Sequence, residues 1–170
     1  MLQSLMFGSV CTLLFAAQVV LGQTTKVPEK TSEVSPDIGE KIAKENQVSI
    51  ELLQKIMADK EAAESIVLVD VRSESENSVS VIPGAITKEK YEANPKKYAG
   101  KTVVCYCLSG GRSSKYVKQL KANGVPAVDL KGSILEWCKR ELPLTTPAGK
   151  PTNKVNVYDN KVPAKYDTEQ

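Results

Sequence analysis

Two apolar runs constrain the fold of this chain most: Ile66-Val67-Leu68-Val69 and Thr102-Val103-Val104-Cys105-Tyr106. Neither alternates polar with apolar side chains, so neither suits a sheet with one wet face. Each reads as a strand buried on both sides, as in a parallel sheet covered by helices. Helical spacing fills the intervals. Ser49 reads as an N-cap, after which Ile50, Leu53 and Met57 recur on one face, broadened by Leu52 and Ile56, in a helix ending near Lys60. Ser113, Tyr116, Val117 and Leu120 mark another, closed by Asn123-Gly124. The turn Ile82-Pro83-Gly84-Ala85 leads into a short strand over 85–87, residues 126–130 supply one more, and Ile134, Leu135, Cys138 and Leu142 fit the buried side of a final helix. This alternation predicts an α/β fold whose ligands sit beyond the carboxyl ends of the strands.

Those elements occupy the middle of a 170-residue chain, enough for one domain with length left for tails. Met1 to Thr25 carries no charged side chain, and Val10 to Leu21 is almost wholly apolar yet shorter than the roughly 20 residues of a spanning helix. With small Gly22 at its end, the segment 1–22 reads as a cleaved secretory signal that sends the chain to the periplasm or outside the cell. A retained membrane anchor is the alternative reading, and the start departs from a usual signal in having no Lys or Arg, only the terminal amine as a positive charge. Residues 23–46, rich in Thr, Lys, Glu, Ser and Pro, are expected to be a flexible linker, 47–145 the folded domain, and 146–170, interrupted by Pro147, Pro151 and Pro163, a polar tail.

The net charge of +3 comes from 23 basic and 20 acidic residues scattered along the chain, so no basic stripe marks a nucleic-acid footprint. Once a signal is removed, nothing calls for a membrane. There is no histidine, which excludes Ser-His-Asp and Cys-His sites and all zinc ligand sets but cysteine ones. Loss of Cys11 with the signal would leave Cys105, Cys107 and Cys138, an odd count that cannot be fully paired.

Cys107 stands where chemistry is easiest to place. It leaves a buried strand a few residues before a helix, where unpaired amides and the helix dipole both favour negative charge. Gly110 and Gly111 let the backbone curl with positive φ so that successive amides of Leu108, Ser109, Gly110, Gly111, Arg112 and Ser113 can point inward as an anion nest, and Arg112 closes the ring with a permanent charge. Thiol pKa values in such places fall to roughly 3.5–7.5, against about 8.5 for a free thiol. A buried structural thiol beside an ordinary turn is the plainer alternative, but it needs neither two glycines nor the arginine.

The segment Tyr106-Cys107-Leu108-Ser109-Gly110-Gly111-Arg112-Ser113 resembles the active-site loop of rhodanese-type sulfurtransferases. Leu68-Val69-Asp70-Val71-Arg72 is similar to that family's Asp-Val-Arg strand end, Ile82-Pro83-Gly84-Ala85 to its Ile-Pro-Gly-Ala turn, and Gly132-Ser133-Ile134-Leu135-Glu136-Trp137 to its Gly-Gly-x-x-x-Trp segment. The resemblance implies a three-layer α/β/α domain around a five-stranded, mainly parallel sheet. It also implies sulfur transfer through a Cys107 persulfide, with the loop amides and Arg112 binding a small anionic donor such as thiosulfate, and a thiol or cyanide accepting the sulfur. No cofactor or metal is implied. Tyrosine-phosphatase-like enzymes of similar fold have a loop one residue longer than the four residues between Cys107 and Arg112, which favours sulfur over phosphate.

The chain departs from the family pattern at Val81, where a histidine is frequent, at Glu76-Asn77, where an aromatic residue is usual, and at Ser133, which replaces the second glycine. These departures leave a non-catalytic binding module or a thiol redox protein as alternatives. Asp70 and Arg72 are expected to play a structural part, Trp137 to pack, Glu76 to be a solvated carboxylate, and Cys105 and Cys138 to be core thiols. A resolving role for Cys105 is the less favoured option, because pairing across one residue is strained. Oligomeric state is not legible.

Overall fold

The computed structural model describes residues 34–35, 37–157 and 162–169. The expected signal segment 1–22 lies outside them, as does the linker up to residue 33. Among the described residues no helix is long and apolar enough to cross a membrane.

The centre is a parallel sheet of five strands in the order β1 (Gln47–Val48), β5 (Ala127–Leu130), β4 (Thr102–Tyr106), β2 (Ile66–Asp70) and β3 (Ile86–Thr87). Both long apolar runs are central strands buried along their whole length. Their side chains divide by alternation into two cores. Leu68, Val104 and Tyr106 join Leu53, Ile56, Ile134 and Trp137 on one face, under α2 (Ile50–Ala58) and α7 (Ser133–Lys139). Val69, Val103 and Cys105 join Tyr91, Tyr116, Val117 and Leu120 on the other, under α5 (Lys88–Ala93) and α6 (Gly111–Ala122). The result is the expected α/β/α sandwich. As expected, Ser49 caps α2, its hydroxyl accepting from the Leu52 amide at 3.2 Å. A short helix α3 (Lys60–Glu64), started by Asp59, then runs into β2.

The expected linker and tail differ from the structure. Within 34–46, helix α1 (Ile38–Ala43) buries Ile42, and Val34 is also in the core. Val34, Ile38 and Ile42 recur every four residues, a stripe easily lost among so many charges. The Thr102 hydroxyl donates to the Gly39 carbonyl at 2.8 Å, pinning α1 to β4. A Cβ at Gly39 would lie 2.7 Å from the Ser65 carbonyl oxygen. Gly39→Ala should therefore destabilise by about 1–3 kcal/mol, against the roughly 1 kcal/mol gain usual for Gly→Ala in a helix. Urea midpoints of the two proteins check this.

Beyond residue 143 the described residues include four short strands. Strand β6 (Leu144–Thr145) pairs antiparallel with β7 (Pro151–Thr152), and β8 (Lys154–Asn156) pairs with β9 (Asp167–Glu169). Val155, Val157 and Tyr166 complete the first core, and the Tyr166 hydroxyl donates to the Leu142 carbonyl. Few as they are, these apolar residues have an open face of that core to fill.

Candidate active site

The loop 107–112 begins where β4 ends at the carboxyl edge of the sheet. Its shape is imposed partly by α7, whose first amides bind it: Ile134 N donates to the Cys107 carbonyl at 3.1 Å and Leu135 N to the Leu108 carbonyl at 3.0 Å. With those carbonyls held away, the next amides are free to face the sulfur. Gly110, at φ +112°, makes the turn, a left-handed conformation costly for any other residue. Its amide donates to Cys107 Sγ at 3.2 Å. The positive φ expected at Gly111 is absent, because α6 begins there with ordinary helical backbone.

Cys107 is 1% exposed. Burial alone would push its thiol up. The Ser113 hydroxyl, 3.5 Å from Sγ, together with the amides of Ser113, Gly110 and Ser109 outweighs it, and the pKa lies below that of an ordinary thiol. The donors within hydrogen-bond distance of the sulfur are Gly110 N and Ser113 Oγ.

Ser133, at the position of the missing second glycine, sits at φ +54°. A β-carbon in that region carries strain. Its buried hydroxyl accepts the Cys107 amide at 3.2 Å, an interaction glycine could not make. The departure from the family pattern therefore adds a support beneath the loop.

Arg112 is placed less simply than a ring-closing charge. Its Nη1 and Nη2 donate to Glu76 Oε2 and Oε1 at 2.6 and 2.8 Å, while its side chain keeps 44% exposure. Glu76 and then the Cys107 sulfur favour the charged guanidinium. Glu76 is not the solvated carboxylate expected: it is 0% exposed, on the short helix α4 (Glu74–Asn77). Its Oε2 also accepts from the Ser73 amide at 3.0 Å and hydroxyl at 2.7 Å, a capping box. Burial pushes its carboxyl up, but Arg112 and Ser73 together bring it to about 2.

The frame behind the loop is a buried ion pair. Arg72 Nη2 donates to Asp70 Oδ2 at 2.7 Å and to the Ser80 carbonyl at 2.5 Å, and the Tyr106 hydroxyl accepts from the Ile82 amide at 3.1 Å. These bonds tie the ends of β2 and β4 to the turn before β3, the structural part expected of the pair. Trp137 is buried, its indole donating to the Pro143 carbonyl at 2.9 Å. Cys105 and Cys138 are core thiols pushed up by burial, Cys138 to about 12.

One residue beneath the loop escaped sequence reasoning. Asp129, in register with Cys105 on the neighbouring strand, is 1% exposed. Gln47 Nε2 donates to its Oδ2 at 3.3 Å, and its Oδ1 has no partner among the described residues. Burial raises its pKa, opposed by Ser113 and Gln47. A carboxyl raised on folding contributes stability that is present below its unfolded value, about 3.9, and lost as pH rises through the folded value. Asp129→Asn should therefore gain stability relative to the unsubstituted chain between pH 4 and pH 8, as read from denaturant midpoints.

Comparison with known proteins points to the same fold. The model of the rhodanese-like domain family matches residues 49–140. A sulfurtransferase of Allochromatium vinosum is 32% identical over 111 residues, covering 61% of this chain and 98% of that protein. Among solved structures, the BH2092 protein from Bacillus halodurans superposes with a TM-score of 0.53 at 22% identity, over 65% of this chain and 82% of that one. Thiosulfate sulfurtransferase from Pseudomonas aeruginosa does so with a TM-score of 0.53 at 20% identity, over 68% of this chain and 23% of that one. A family match over more than half the chain, together with the five-stranded parallel sheet and the cysteine loop at its carboxyl edge, establishes that the chain belongs to the rhodanese-like domain family.

Proposed function

We propose that the protein is a sulfurtransferase that carries sulfane sulfur on Cys107 from a small anionic donor such as thiosulfate to a thiol or cyanide. The observation that carries this reading is the Cys107 sulfur surrounded by donors, Gly110 N at 3.2 Å and Ser113 Oγ at 3.5 Å, with the Arg112 charge beside it. Family membership and the sulfurtransferase relative support it.

In the first step the Cys107 thiolate attacks the outer sulfur of thiosulfate. A new S–S bond forms, the old one breaks, and its electron pair leaves on sulfite. The persulfide keeps one negative charge on its terminal sulfur, which the same amides and the Ser113 hydroxyl stabilise. Arg112 compensates the charge of the incoming donor. In the second step an acceptor thiolate or cyanide attacks that terminal sulfur, and the electron pair of the broken bond returns to Cys107.

Mass measurement of the intact protein after incubation with thiosulfate tests this. The expected result is a gain of one sulfur atom, located on the Cys107 peptide and removed by cyanide. Free Cys107 that alkylates readily but takes up no sulfur would overturn the reading.

A further inference from the structure

Beside the loop, and sharing Arg112 with it, lies a hollow. Its volume is about 280 Å³, and Val71, Lys88, Arg112, Lys115, Tyr116 and Gln119 line it. Arg112, Lys115 and Gln119 are three and four residues apart, so they share one face of α6. Val71, just past β2, and Lys88, at the start of α5, come from elsewhere in the chain.

The lining holds three cations and no carboxylate. Arg112 is engaged by Glu76, and Lys88 is 3.8 Å from Glu92, one turn along its own helix. Lys88 Nζ also stands 5.1 Å from the centre of the Tyr116 ring, a cation–π distance. Lys115, exposed on α6, has no acidic partner among the described residues. The positive charge here is thus incompletely balanced, next to Arg112 at the end of the cysteine loop.

Size narrows the ligand. The space is close to the lower end, roughly 300 Å³, of pockets that hold small organic molecules. On the sulfurtransferase reading a sulfur oxyanion binds against the loop amides, which leaves the hollow to another ligand. The walls offer an aromatic ring and a valine for an organic stem, ammonium groups for carboxylates, and the Gln119 carboxamide at the far end.

We propose that this hollow is the acceptor subsite and takes a low-molecular-weight thiol bearing carboxylates, which Lys88 and Lys115 bind while its sulfur reaches Cys107. The inference rests on the sulfurtransferase reading and names the acceptor class for it. Specificity arises because a neutral thiol gains nothing from either lysine, whereas a dicarboxylate gains from both.

The experiment compares mercaptosuccinate with 2-mercaptoethanol as acceptor at saturating thiosulfate, in the full chain and in Lys115→Glu and Lys115→Gln. The unsubstituted protein should favour mercaptosuccinate. Lys115→Glu should lower the ratio of the two kcat/KM values about tenfold, through KM, with Lys115→Gln in between. An unchanged ratio, or equal loss with both thiols, overturns the subsite. If no sulfur moves in the unsubstituted protein, the transfer reading has failed instead, and the hollow is tested without it. Methylthiosuccinate, which cannot accept sulfur, should slow alkylation of Cys107 by iodoacetamide in the unsubstituted protein and not in Lys115→Glu. Equal protection, or none, in both proteins overturns the subsite on that arm too.

Discussion

Cys107→Ser is expected to lower kcat/KM for sulfur transfer from thiosulfate to cyanide by about 10⁴-fold or more. The hydroxyl of serine is close in size to the thiol, and the donors around it, Gly110 N and Ser113 Oγ, can still bond to it. What it lacks is an accessible anion at neutral pH, since the few amides that stabilise a thiolate cannot make an alkoxide in water. The loop should keep its form, because α7 holds the Cys107 and Leu108 carbonyls through backbone bonds that the substitution does not touch. The variant should therefore melt within a few degrees of the unsubstituted protein. Steady-state rates and a thermal melt, run together, separate lost chemistry from lost fold.

Glu76→Ala should have the next largest effect, and on two measurements at once. It removes a buried carboxylate that caps α4 through Ser73 and fixes both terminal nitrogens of Arg112. Loss of the cap costs about 1 kcal/mol. The ion pair adds about another 1 kcal/mol, discounted because the guanidinium is half-exposed to solvent. The freed Arg112 then spends less time near the sulfur, so KM for thiosulfate should rise about tenfold while the alkylation rate of Cys107 changes little. The pH dependence has a definite sign. A carboxyl held at about 2, against 4.5 unperturbed, stabilises the fold above pH 4.5, and that contribution is lost as pH falls toward 2. Acid unfolding of Glu76→Ala should lack this part of the slope.

The legible parts of the fold and of the candidate site are those written in local pattern. The central strands announce themselves because four or five consecutive apolar residues have no other economical place. Helices α2 and α6 are visible through their spacing and end signals, Ser49 before one and Asn123-Gly124 after the other. The loop is legible because Cys107, Gly110 and Arg112 all fall within six residues. Glu76 was only half legible. The spacing Ser73-x-x-Glu76 is a capping box on its face, but its bond to Arg112 spans 36 positions and no local rule reaches that far. Asp129 is a single carboxylate inside a four-residue strand, and nothing in its neighbours tells that the loop will lie over it. Strand β1 is two residues long, too short for any periodicity. The strands after residue 143 fail for a related reason: prolines mark where a chain turns, and they do not show whether the stretches between them find a surface.

Those late strands also bear on the order in which the molecule can be completed during synthesis. Val155, Val157 and Tyr166 belong to the first core, so that core takes side chains made well after its members Leu53, Ile56, Ile134 and Trp137. The opposite core has no buried member beyond Ala127, so its side chains are all present before β8 and β9 are made. The two halves of the sandwich thus mature at different times, and the half built around Trp137 is complete only once β8 and β9 have been made.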